Sequence, residues 1–276
     1  MKGTRVLAVL MLLLGLFCWM SSDAMAVSIS VDRSLSDWGV DPSVPHWIPG
    51  SNSTATGSVG DPLTGYSNGV YYWVEDAVGV DSNGHSGYVE PGYGGQTYDV
   101  EALYLAFDDQ YVYGAVVTGF PVNGTGTNYL PGDLAFNFGG DGTYEYGVAV
   151  TDHDGFVHGQ LYKASDWKGV KYTQDPNDFS SSKPWALKSG SDAGAISFSY
   201  DEAYGRTVIE VAIQKLLFSG IDWSVPQDIV MHWTMQCGND AGNVSGTAPV
   251  PEPGTILLVG TGLLGLALGS RKKRSK

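Results

Sequence analysis

Residues 102–107 read Ala-Leu-Tyr-Leu-Ala-Phe and residues 111–117 read Tyr-Val-Tyr-Gly-Ala-Val-Val, with Asp108-Asp109-Gln110 between them. Two runs rich in aromatic and β-branched residues, separated by three polar ones, predict a β-hairpin. Working outward, similar runs predict strands over 28–31, 70–75, 133–138, 144–150, 156–162, 195–200, 207–213 and 229–236. Asp141-Gly142 and Asp154-Gly155 mark turns among them. The only helical signal is a turn or two near 214–218. About ten short strands without a long amphipathic helix predict an all-β fold, an antiparallel β-sandwich of jelly-roll or immunoglobulin-like kind. Glycine- and serine-rich stretches at 49–69 and 79–97 are expected to be long loops over one end of the sandwich, where function often resides.

The two ends of the chain have a different character. Lys2 and Arg5 precede an apolar run over 6–20, and Ala24-Met25-Ala26 supplies small residues in an A-x-A pattern. That order of features predicts a signal peptide over 1–26, with cleavage between Ala26 and Val27. At the other end, Pro251-Glu252-Pro253 is followed by an apolar stretch over 254–270 and the basic cluster Arg271-Lys272-Lys273-Arg274. At 1.5 Å per residue such a stretch approaches the ~30 Å of a bilayer core, so a single transmembrane helix is expected. The cluster should remain cytoplasmic and the body face outward. The sandwich is thus expected over 27–248.

The tail over 249–274 resembles the PEP-CTERM sorting signal of Gram-negative bacteria, in which a Pro-Glu-Pro motif, an apolar helix and a basic cluster occur in that order. The resemblance implies recognition of Pro251, Glu252 and Pro253 by exosortase, a membrane-embedded protease, after export by the secretion machinery. It implies a precursor anchored in the inner membrane through the C-terminal helix, then a processed protein at the cell surface or outside it. Proline disfavours helix before it and lacks an N–H, so the tripeptide should stand extended at the membrane edge, open to a protease.

Charge narrows the function classes. The chain carries 15 Lys and Arg against 29 Asp and Glu. Setting both ends aside leaves 27 carboxylates against eight basic side chains, a net charge of −19. Such a body repels phosphate, which argues against nucleic-acid binding. It suits divalent cations or neutral polymers. Cys237 alone remains in the body; it follows the strand-like run 229–235 and is expected to be buried.

A second resemblance covers about residues 29–238. Asp32-Arg33-Ser34-Leu35-Ser36-Asp37-Trp38, the hairpin 102–117 and Val208-Ile209-Glu210-Val211-Ala212-Ile213 are similar to the opening, middle and end of DOMON-like, family-9-type carbohydrate-binding domains. That resemblance implies a β-sandwich in which the last of these strands precedes a short helix. Gln214 stands where that family commonly has proline.

Candidate site residues follow from side-chain chemistry. Asp99 and Glu101 alternate onto one strand face, and Asp108 and Asp109 lie at the far turn. These oxygen donors are the candidate calcium ligands. Asp152, His153, Asp154 and His158 form a weaker zinc candidate. Tyr88, Tyr93 and Tyr98 lie in a glycine-rich segment and offer flat rings with polar tips, suited to stacking on sugar. Trp38, Trp73, Trp223 and Trp233 are expected in the core. S-x-x-K matches crowd into one short region and no G-x-S-x-G elbow occurs, so no catalytic residue is expected. The sequence therefore predicts a non-catalytic, exosortase-sorted surface or extracellular-matrix protein that binds extracellular polysaccharide, with calcium as its cofactor. The alternatives are a purely structural acidic surface protein and, more distantly, a glycan hydrolase.

Overall fold

A computed structural model describes residues 28–41, 47–50, 62–75, 95–125, 129–170, 184–250 and 262. The expected signal peptide, the sorting motif, the apolar stretch after it apart from residue 262, and Tyr88 and Tyr93 lie outside them. Among the described residues, no helix is long and apolar enough to cross a membrane.

Among the described residues, twelve strands form two six-stranded sheets, and every pairing is antiparallel. The first sheet takes β1 (Leu63–Ser67), β2 (Val70–Val74), β3 (Val100–Phe107), β4 (Tyr111–Thr118), β10 (Arg206–Gln214) and β9 (Ser197–Ala203), in that spatial order. The second takes β12 (Ala241–Ala248), β11 (Gln227–Thr234), β5 (Leu134–Phe138), β6 (Tyr146–Val148), β7 (Gln160–Gly169) and β8 (Pro184–Ala195). Among the described residues, two short 3-10 turns, Gly95–Tyr98 and Lys215–Leu217, interrupt the β structure. The second stands where the sequence predicts its only helical turn.

The inner faces meet in one apolar layer. Leu103, Leu105, Val116, Ile209 and Val211 from the first sheet pack against Leu134, Phe136, Ile229, Met231 and Trp233 from the second. Burial of such side chains is the main force closing the two sheets. Trp73 and Trp233 belong to this layer and Trp223 packs at its margin.

The outer face of the first sheet is buried as well. Leu35, Trp38, Val40 and Trp47, from the segment preceding β1, lie over Tyr104, Ala106, Ala115, Val117 and Val208. We term residues 28–41 the strap. It explains why β3 is buried at all eight positions instead of alternating.

The second sheet covers its outer face with its own hairpin. Register shifts between Leu161 and Gly169 bend β7 with β8. Trp167 thereby lies on Gly147 of β6, and Phe156, Tyr162 and Leu187 form a small outer core with Ala149.

Several strands depart from the sequence prediction. Residues 28–31 form no strand and instead open the strap. Conversely, β1 lies inside the predicted loop 49–69, and β8 and β12 lie where no strand is expected. Asn68 and Gly69 adopt φ of 51° and 88°, the left-handed pair of a tight hairpin turn, and this joins β1 to β2.

The sandwich has two poles. At one, β2, β4, β9 and β11 end while β3, β5, β10 and β12 begin; at the other, β12 ends and β11 begins beside the β3–β4 turn.

Candidate functional site

At the pole where β3 and β12 begin, three carboxylates converge. Glu75 follows β2, Asp99 precedes β3 and Asp240 precedes β12; all three are buried, and one oxygen from each lies within 4.8 Å of the others. Strand pairing creates the convergence. The Glu75 N–H donates to the Glu101 carbonyl at 3.0 Å, extending the β2–β3 ladder. Asp240 accepts from the Val100 N–H at 2.6 Å and from the Ala241 N–H at 2.7 Å, tying the second sheet to the first. The Asp99 carbonyl accepts from the Thr118 hydroxyl and the Gly119 N–H, which fixes the start of β3 against the end of β4.

Glu101 adjoins this group. The register of β3 on β4 shifts between Val100 and Ala102, so Glu101 is the extra residue of a bulge. Its carboxylate is buried and pairs with Arg206, and the Gln96 amide donates to both Glu101 and Asp99. Asp99 and Glu101 thus both lie beside the Gln96 amide. The bulge accompanies the arrangement, and it places Val100 and Leu103, three residues apart, in the same inner layer.

Asp108 and Asp109 are elsewhere. They lie past the other end of β3, nine residue steps or about 30 Å from Asp99. The Asp108 carboxylate accepts from the N–H groups of Gln110 and Tyr111 and from the Tyr113 hydroxyl, so it shapes the hairpin turn. The four predicted ligands therefore divide between the two poles. Glu75 and Asp240, the partners of Asp99, carry no motif, and only strand pairing brings them in from 24 residues before and 141 after.

Three buried carboxylates so close repel one another where the surroundings screen little, which favours a cation or a proton among them. An all-oxygen donor set suits calcium or magnesium and does not suit zinc. The segment 76–94, which holds Tyr88 and Tyr93, leaves from Glu75 and returns at Gly95, four residues before Asp99. Tyr98 is half-buried, with its ring 5.9 Å from Phe120 and 6.2 Å from Tyr129, and packs on the core.

The zinc candidate separates into two unlike pairs. His153 Nε2 lies 2.8 Å from the buried Asp133, while His158 Nδ1 lies 2.8 Å from the exposed Asp152. Asp133 also accepts from the N–H groups of Val150 and Leu187. His153 therefore clasps the hairpin after β6 to the folded-over β8. The hydrogen bond to Asp133 raises the His153 pKa above 6.5, against the opposing effect of burial.

A further buried carboxyl, Glu210, lies outside the cluster. It lies fully buried in β10 beneath the strap, where Trp38 Nε1 donates to it at 2.8 Å. The N–H groups of Asp32 and Arg33 also donate, with Arg33 in the left-handed region at φ 70°. Burial pushes the Glu210 carboxyl up to about 7, against the pull of these donors and with added repulsion from Asp37. A general acid would have a similar value, but Glu210 is sealed from any substrate and holds the strap. The Asp32–Trp38 stretch and the Ile209-Glu210 strand, which carry the second resemblance, thus meet in one interaction.

Residues 249–274 match the PEP-CTERM protein-sorting motif. The chain carries an exosortase sorting signal. This motif implies export and processing by exosortase, and it begins one residue after β12 ends. No curated protein and no solved structure matches the chain, so the likeness of the body to DOMON-like domains gains no support from them.

Proposed function

We propose that this exosortase-sorted protein is a non-catalytic binding module of the cell surface or extracellular matrix. In this reading calcium binds at Glu75, Asp99 and Asp240, and the tyrosines of the adjoining segment 76–94 bind extracellular polysaccharide. Export begins with the signal peptide 1–26. The stretch 254–270 holds the precursor in the inner membrane until exosortase removes the tail.

One observation carries the ligand reading. The segment that bears Tyr88 and Tyr93 is bounded by two of the three converging carboxylates, Glu75 and Asp99. A cation bridging them would fasten the two residues that flank the segment and so fix the base from which its rings meet a sugar.

Calorimetry on the processed protein tests this. After chelation, calcium is expected to raise the melting temperature by several degrees, and Asp240→Asn is expected to abolish the rise. The host's own exopolysaccharide should then bind only in the presence of calcium, and not to a Tyr88→Ala/Tyr93→Ala variant. No response to calcium or saccharide would favour the purely structural acidic protein. Release of reducing ends would instead favour the hydrolase. For the tail, Glu252→Ala should leave an uncleaved, membrane-retained form; normal processing of that variant would remove exosortase from the account.

A further inference from the structure

The last paired residue of β12 is Ala248, opposite Gln227, and only Pro249 and Val250 separate it from Pro251. Three residue steps span at most about 11 Å. The end of β12 is also firmly held. Thr247 donates its hydroxyl to Asp228 at 2.6 Å, and the Thr247 carbonyl accepts from the Tyr71 hydroxyl across the sandwich. Gly246 lies under the Tyr71 ring, so close that a Cβ there would stand 2.5 Å from it. The folded body therefore extends to within two residues of the sorting motif.

The pole at which β12 ends exposes two aliphatic side chains. Leu216, in the 3-10 turn after β10, is 76% exposed, and Val225, two residues before β11, is 48% exposed. Trp223 Nε1 donates to the Lys215 carbonyl at 2.9 Å and binds the two segments together. The same pole exposes Asp109, Asp222 and Asp228.

We propose that in the uncleaved precursor this pole is held against the outer face of the bilayer, with Leu216 and Val225 at the lipid interface. The inference rests on the reading that 254–270 spans the membrane. From Ala248 to the start of the spanning stretch at Gly254 is six residue steps, at most about 22 Å and less than the ~30 Å between the poles, so only the pole where β12 ends can reach the surface, and the opposite pole with Glu75, Asp99 and Asp240 points away. The tether imposes the contact. Asp109, Asp222 and Asp228 are repelled by anionic lipid, so charge at this pole does not hold it there. Cutting the tail then releases it.

The full chain, made in a bacterium that lacks exosortase so that the tail stays attached, tests this. A diazirine-bearing residue is placed at Leu216, at Val225 or, as the reference at the opposite pole, at Tyr204, which is 44% exposed. Lipid adducts should form several-fold more at Leu216 and Val225 than at Tyr204. Inserting about twenty Gly and Ser residues between Val250 and Pro251, with an r.m.s. span of roughly 25 Å, should reduce them to the reference level. Equal labelling at all three positions in a membrane-embedded precursor would overturn the proposal, as would labelling that the spacer leaves unchanged. A precursor extracted as a soluble protein would overturn the membrane-spanning reading together with this one.

Discussion

Glu210 shows how one polar side chain can organise an apolar face. It is surrounded on its face of β10 by Val208 and Ala212, and a carboxylate there is tolerated because three N–H groups of the strap converge on it. Its folded value of about 7 lies above the ordinary 4.5. Between those values the folded chain keeps a proton that the unfolded chain has released. The stability this contributes is complete below about pH 4.5 and is lost as pH rises through 7. Guanidinium denaturation at pH 4.5 and pH 8 should therefore show a larger loss in the parent than in Glu210→Gln, by up to ~3 kcal/mol. An equal loss in both proteins would show that the carboxyl does not titrate in this window. The sequence displays the residues of this interaction, since Asp32–Trp38 and 208–213 each stand out as a pattern. It does not display their meeting, which depends on Arg33 adopting a left-handed backbone.

Among the elements, the legible strands are those whose side chains do the packing, and the illegible ones are those packed upon. β3 and β4 are dense in Leu, Val, Tyr and Phe and stand out at once. β12 reads Ala-Gly-Asn-Val-Ser-Gly-Thr-Ala and has the composition of a loop. Its buried positions are Gly242, Val244, Gly246 and Ala248, a period of two written in small residues because Trp73, Leu103 and Tyr71 fill the space above them. Gly246→Ala should accordingly cost about 1–3 kcal/mol in chemical denaturation through overpacking, while Ser245→Ala on the exposed face should change stability by less than about 0.5 kcal/mol. β8 is hidden for a related reason, since its Lys-Ser-Gly-Ser-Asp run is exposed and extended only by pairing with β7.

The clasp on that bent hairpin makes an element-level prediction of its own. A histidine whose folded pKa is raised contributes stability that is complete below about 6.5 and is lost as pH rises through the folded value. His153→Asn should therefore destabilise by about 1–2 kcal/mol near pH 6, where it removes a charged partner from Asp133. The difference between variant and parent should narrow by pH 9. A constant difference across that range would mean that the imidazole is neutral in the clasp.

At the scale of the whole molecule, the chain folds as a sandwich whose two outer faces are each covered by a different device. The second sheet uses its own hairpin, whereas the first depends on a segment from before its first strand. The sequence predicts a strand over 28–31, and the alternation there suits one, but the Asp32–Arg33 turn directs the chain onto the sheet face instead of its edge. The carboxylate cluster was half legible for the same reason that the strap was not: Asp99 and Glu101 are neighbours in sequence, while Glu75 and Asp240 join them only once both sheets are formed. Deleting residues 28–41 tests how far the body depends on the strap. It removes Leu35 and Trp38, both fully buried, leaves Trp47 as the remaining aromatic cover, and strips Glu210 of the three N–H donors that hold it among Val208 and Ala212. Loss of one buried Trp alone typically costs ~3–5 kcal/mol, a large part of the margin of an ordinary domain. The truncated protein should bind a hydrophobic dye and elute as higher-order species on size exclusion, whereas the full body should do neither. A monomeric truncation that melts at the parent temperature would mean that the two sheets stand without the strap, and that Trp38 and Glu210 serve something other than closure of the fold.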